Sequence, residues 1–167
     1  GYTADIISEL LTEEGVKSAI INLGGNVYAH GNKPNGSDWR IGIQDPYSER
    51  GGIIGTLTTN NKSVVTSGIY ERYIEEDGIK YHHILSPKTG YPYENEIAGI
   101  TIVSDKSIDG DALSTSVFAM GVEDGMKFVN TIDGIDAIFV TKDNKVYITE
   151  GLKDIFTLSN SDFTLVN

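Results

Sequence analysis

With 167 residues, 39% of them hydrophobic, the chain has the size and composition of one folded domain rather than a disordered segment. A formal net charge of -11 argues against a basic nucleic-acid-binding face, and makes free nucleotides poor partners unless a cation mediates. The absence of cysteine excludes disulfides, zinc-thiolate sites and thiol nucleophiles, and no apolar run is long enough to span a membrane.

In chain order, "TADIISELLTEEG" predicts an amphipathic helix. Ile6, Ile7, Leu10 and Leu11 fall on one side, with Thr3 as cap and Gly15 as stop. "SAIINLGG", "NVYAHG", "DWRIGIQDP" and "IIGTLTT" read as strands, and "SVVTSGIYERYIEE" continues them. Asp77-Gly78 separates "ERYIEE" from "IKYHHIL", a hairpin signal because a type I′ turn needs positive φ twice. His82 and His83 therefore end a returning strand and point to opposite faces. Pro87 and Gly90 shape the loop that follows. "IAGITIVS" is a strand, and "SIDGDALSTSVFAMG" a helix with Asp109 as cap and Gly121 as terminator. "EDGMKFVNTI" predicts a second helix, and the last part a hairpin around Asp143-Asn144. The pattern is a single α+β domain, an antiparallel or mixed sheet with helices packed on it.

Four groups carry possible chemistry. Asp111 and Thr115 project about 40° apart on the second helix, with Ser114 beside them. Their hard oxygen donors suit Mg²⁺, and equally suit ordinary helix-start chemistry. His83 is either a general base or a surface residue beside a turn. Lys88 and Thr89 either contact a phosphate or serve the turn ending at Gly90. "LGGN", residues 23–26, either lets a backbone approach a ligand or connects two strands. His30 has no companion motif and reads as structural. No G-x-G-x-x-G, Walker loop, G-x-S-x-G or H-E-x-x-H occurs.

Taken together and in this order, "GYTADIISELL", "INLGGNVYAHG", "SGIYERYIEEDGIKYHHILSPKTGYP", "DALSTSVFAMG" and "TEGLKDIF" resemble one family. It is the FAD:protein FMN transferases, or ApbE family, also known as thiamine biosynthesis lipoproteins. The resemblance implies an ApbE-like, T-fold-related domain. It implies cleavage of FAD with release of AMP and attachment of FMN to a Thr or Ser hydroxyl of a target protein, with Mg²⁺ required. Carried over, His83 matches the catalytic histidine, and Asp111, Thr115 and Ser114 match the metal positions. Relatives sometimes have Asp at the position of Ser114. Ile84 and Leu85 match the flavin-nucleotide site, with Lys88 and Thr89 beside them. The implied partners are FAD and an acceptor flavoprotein subunit of an electron-transfer or ion-pumping complex, with no nucleic acid. The implied location is extracytoplasmic, lipid-anchored to the membrane in the full-length protein.

Two departures matter. Relatives commonly have Asp at the position of Ser86; if that Asp orients the histidine or the loop, serine does so more weakly. Relatives are also longer, so residues 1–167 are expected to be the C-terminal portion, with further FAD contacts and a metal-binding backbone oxygen upstream. Alone, this portion is expected to be poorly active. A Mg²⁺-dependent FAD pyrophosphatase and a non-catalytic flavin-binding fragment remain the alternatives.

Overall fold

A computed structural model describes residues 1–48 and 51–166. Helix α1 (Tyr2–Glu13) leads into β1 (Ser18–Asn22), β2 (Asn26–Gly31), β3 (Trp39–Gln44), β4 (Ile53–Thr59) and β5 (Lys62–Gly68). The arm β6 (Tyr73–Glu76) and β7 (Ile79–His82) follows, then β8 (Ile97–Ser104), α2 (Ser107–Val129), β9 (Asp136–Thr141) and β10 (Lys145–Ile148). A 3₁₀ turn, Glu150–Leu152, precedes β11 (Phe156–Leu158) and β12 (Thr164–Val166).

The α+β reading holds, but the strands divide into three sheets. The main sheet runs β1-β2-β5-β8-β9-β10-β12, antiparallel except for the parallel β10–β12 pair. A second sheet runs β11-β4-β3, and among the described residues β6 and β7 pair only with each other. All eight residues of β8 are buried. One face of the main sheet gives Val64, Val103, Ile138 and Val140 to a core shared with Ile43, Ile54 and Leu57 of the small sheet. The other face gives Ile100, Ile102, Ala137 and Phe139 to a core shared with Val117 and Phe118 of α2. Alternation along β9 thus serves both layers. Truncating a fully buried ring such as Phe139 would cost about 3–5 kcal/mol.

The starts of both helices correct the sequence expectations. Thr3 lies inside α1, whose N-cap is Gly1, and the buried residues are Ala4 and Ser8, while Ile6 and Leu10 are exposed. The reason is close approach. A Cβ on Gly1 would fall 2.5 Å from the Cα of Ile108, so the start of α1 lies hard against α2, while Ser8 meets His30 of β2. Gly15 does end the helix, at φ 75°. In α2, Asp109 sits in the first turn and Lys106 holds the N-cap position without a side-chain bond. The two helices expected after β8 meet at Gly121 (φ 78°, ψ 178°), a non-helical conformation essentially reserved for glycine, so Gly121 ends the first as its sequence predicts and α2 names the two together. Glu96 Oε1 accepts the Val122 N–H at 2.6 Å, and Asn95 Nδ2 donates to the Phe118 carbonyl at 2.6 Å, so adjacent residues stitch both sides of the break.

Candidate active site

The front of α2 is placed by backbone and carboxylate contacts rather than by its own cap. Asp5 Oδ1 accepts the Ser107 N–H at 2.7 Å, and Oδ2 accepts that of Ile108 at 2.9 Å. A carboxylate at a helix N-terminus satisfies orphan donors and complements the helix dipole. Below it runs a buried hydroxyl chain: Ser63 Oγ donates to Ser107 Oγ (2.9 Å), which donates to Asn26 Oδ1 (2.5 Å). The Asn26 Nδ2 is buried without a partner among the described residues. Gly110 lets the helix settle on β5, since a Cβ there would lie 2.9 Å from Val65 Cγ2.

Asp111 and Thr115 are both exposed, one turn apart. Asp111 Oδ2 lies 2.7 Å from the backbone nitrogen of Gly1. Ser114 differs from both: it is buried, donates to the Asp111 carbonyl at 3.2 Å and accepts from Ser67 Oγ at 2.9 Å. Its hydroxyl faces β5 and holds helix to sheet. Among the described residues no group of three His, Asp or Glu is clustered for a metal. A cation at Asp111 and Thr115 would therefore take its remaining ligands from elsewhere, as Mg²⁺ commonly does with phosphate oxygens and water.

The hairpin turns as its sequence predicts, with φ 52° at Asp77 and 77° at Gly78. The two histidines at its root diverge. His82 is buried, edge-on to the Phe118 ring with centroids 5.6 Å apart. Its Nε2–H donates to the Tyr93 carbonyl (3.1 Å), and its Nδ1 accepts the Ile84 N–H (3.3 Å). Burial lowers its pKa below the usual imidazole value, against a smaller opposing effect of the Tyr93 carbonyl. His83 is exposed, and its Nδ1 lies 3.0 Å from the Arg72 carbonyl. A carbonyl only accepts, so Nδ1 carries the proton and the lone pair sits on Nε2. His82 anchors the root against α2, one turn past Ser114, while His83 is left exposed.

In the loop beyond, the Ile84 side chain is buried and its carbonyl accepts the Tyr93 N–H at 3.0 Å, while Leu85 is 53% exposed. Ser86 Oγ accepts the Lys88 N–H (3.3 Å), and Thr89 Oγ1 the Tyr91 N–H (3.3 Å). Ser86 thus makes the kind of turn bond an aspartate side chain also makes, more weakly, and it does not touch His83 in these contacts. Thr89 serves the turn; Lys88 is exposed beside it. Gly24 and Gly25 (φ 65° and 89°) turn "LGGN", and Gly25 lines a cleft of about 440 Å³ with Thr66 and Tyr70. Thr66 points away from its neighbour Ser67, so this cleft opens on the sheet face opposite α2. His30 is structural: its ring nitrogens meet Ser8 Oγ and the Val16 carbonyl, each at 3.0 Å.

The ApbE family model matches residues 1–139. The chain belongs to the ApbE family. A Klebsiella pneumoniae relative named FAD:protein FMN transferase is 41% identical over 167 residues, covering 100% of this chain and 51% of its own. A Treponema pallidum relative of the same name is 35% identical over 173 residues, covering 99% and 48%. The crystal structure of the ApbE protein from Thermotoga maritima superimposes with a TM-score of 0.82 at 32% identity, covering 93% of this chain and 50% of that one. The apo Pseudomonas stutzeri flavinyl transferase ApbE gives 0.75 at 31%, covering 95% and 50%. This ApbE-family chain spans about half the length of the curated relatives it matches.

Proposed function

We propose that the protein containing this chain is an FAD:protein FMN transferase, moving FMN from FAD to a Thr or Ser hydroxyl of a target protein and releasing AMP. The observation that carries the reading is His83: an exposed imidazole in an ApbE-family chain, its Nδ1 fixed by a carbonyl and its Nε2 lone pair outward. In the proposed step the acceptor oxygen bonds to the FMN phosphorus, and the bond from that phosphorus to the bridging oxygen breaks. AMP leaves with the bridging oxygen, and the hydroxyl proton passes to His83 Nε2.

Asp111 and Thr115 are the residues we assign to Mg²⁺, with Ser114 bracing the turn that bears them. The cation would neutralise charge on the pyrophosphate, which a chain of net charge -11 otherwise repels. The acceptor we expect is a flavoprotein subunit of an electron-transfer or ion-pumping complex.

The test incubates the full-length protein with FAD, Mg²⁺ and a candidate acceptor. Mass spectrometry should find FMN on one Thr or Ser of the acceptor, and chromatography an equal amount of AMP. AMP and free FMN with an unmodified acceptor would instead mean a pyrophosphatase. FAD binding with no AMP would mean a flavin-binding protein without turnover.

A further inference from the structure

All four residues of β6 are exposed, and among the described residues of the β6–β7 arm only His82, the last of β7, is buried. A histidine is a costly choice for that place, because a buried ring must find partners for both of its nitrogens. His82 finds them in the backbone of the loop that follows. Its Nδ1 accepts the Ile84 N–H at 3.3 Å, and its Nε2–H donates to the Tyr93 carbonyl at 3.1 Å. The Tyr93 N–H in turn donates to the Ile84 carbonyl at 3.0 Å. The three bonds close a triangle of His82, Ile84 and Tyr93 that holds both backbone polar groups of Ile84. The same ring packs edge-on against Phe118 of α2, and the Ile84 side chain is buried in the core beside it.

His83 lies between these two fixed residues. Its backbone N–H (3.1 Å) and its Nδ1 (3.0 Å) both meet the Arg72 carbonyl. The direction of its ring therefore depends on where its backbone sits, and that backbone is held by His82 on one side and by Ile84 on the other. We propose that His82 is a positioning residue for His83: by tying the root of the arm to α2 and to Ile84, it keeps the His83 Nδ1–H on the Arg72 carbonyl and the Nε2 lone pair outward. The catalytic consequence rests on the transferase reading above; the geometry does not. His82 faces Phe118 while His83 faces solvent, so His82 acts only through its neighbour. A phenylalanine would fill much the same space beside Phe118, yet would leave the Ile84 N–H and the Tyr93 carbonyl without their partner on this side chain. The root must then shift to let water reach them, and a misplacement of about 1 Å at a reacting atom is enough to slow the chemistry.

The test compares the full-length protein with its His82→Phe and His82→Gln variants. His82→Phe should lower kcat for FMN transfer about tenfold, a smaller loss than at His83, with the KM values for FAD and acceptor within about threefold. His82→Gln, whose amide again offers an acceptor and a donor, should recover most of that loss. Val146→Ala opens the other core away from the arm and controls for lost stability; its kcat should stay within about twofold. A readout independent of turnover is the ¹⁵N NMR spectrum of the histidine rings at about pH 8, with the His83 signals assigned by their loss in His83→Ala. The unmodified protein should carry the His83 proton on Nδ1, and His82→Phe should show a mixture of both tautomers. Where His82→Phe does not fold, His82→Asn, which loses the donor to Tyr93, takes its place with the same two readouts. An unchanged His83 tautomer in the variant overturns the proposal whatever the rate. A raised KM for FAD with unchanged kcat overturns it as well, and gives the triangle to flavin binding. If no FMN reaches any acceptor, the transferase reading fails, and the NMR comparison still decides whether His82 fixes His83.

Discussion

Asp5 Oδ1 accepts the backbone N–H of Ser107 at 2.7 Å, across 102 residues of chain. The contact makes the first helix the N-terminal cap of the second, and fixes where Asp111 and Thr115 project. Asp5→Ala should lower unfolding stability by about 1–3 kcal/mol in urea titration, and Asp5→Asn by less, since an amide oxygen still accepts one bond. Both should weaken the Mg²⁺ dependence of the full-length protein. An unchanged urea midpoint for Asp5→Ala would show the cap to be dispensable.

The two adjacent histidines should separate cleanly. His83→Ala in the full-length protein should lower the transfer rate by about 10²–10⁴ and leave the unfolding midpoint where it was. His82→Ala removes a ring packed on Phe118 and two hydrogen bonds, and should cost about 2 kcal/mol of stability. Measuring both quantities on both variants decides the assignment; the reverse ranking sinks it.

His82 also predicts a pH effect. Its folded-state pKa lies below the ordinary 6.5, because burial disfavours the charged ring. Between the two values the unfolded chain binds more protons than the folded one. Stability is therefore complete above about 6.5 and falls as pH drops through 6.5 toward the folded pKa, by at most about 1.4 kcal/mol per pH unit. Protonation also removes the Nδ1 lone pair that accepts the Ile84 N–H. Denaturation curves from about pH 7.5 to 5 should show this slope, and His82→Phe should lack it.

Asp111→Ala should weaken the Mg²⁺ dependence of FMN transfer more than Thr115→Val does, because only the carboxylate carries charge. Raising Mg²⁺ should partly rescue Thr115→Val and rescue Asp111→Ala little. Ser114→Ala should behave differently, losing about 1 kcal/mol of stability with its bonds to Ser67 and the Asp111 carbonyl while its Mg²⁺ response stays intact. Circular dichroism checks folding in each case. If Asp111→Ala keeps the unmodified Mg²⁺ dependence, the cation sits elsewhere.

What the sequence revealed was local chemistry. Asp77-Gly78 announced its turn because positive φ at two successive residues is a property of those residues. The opposed faces of His82 and His83 followed from the strand period. Long-range choices were hidden. Ile6 and Leu10 had helical spacing, yet spacing does not say which face a neighbour reaches, and the buried side of α1 carries Ala4 and Ser8 instead. Nothing near Asp5 signals a bond to Ser107, and Ser63, Ser67 and Asn26 have ordinary strand surroundings. β11 and β12, three residues each, are too short for a period to show. The separation of β3, β4 and β11 into their own sheet is a choice of pairing partner that no single segment records.

The break at Gly121 divides α2 into two cooperative units. With the i→i−4 ladder interrupted, the residues behind it hold their first amide through Glu96 rather than through the turn before. Amide exchange in the segment 122–129 then reports its own opening, not that of 107–120. The back of the helix should then fray and re-form while the turns bearing Asp111 and Thr115 stay hydrogen-bonded.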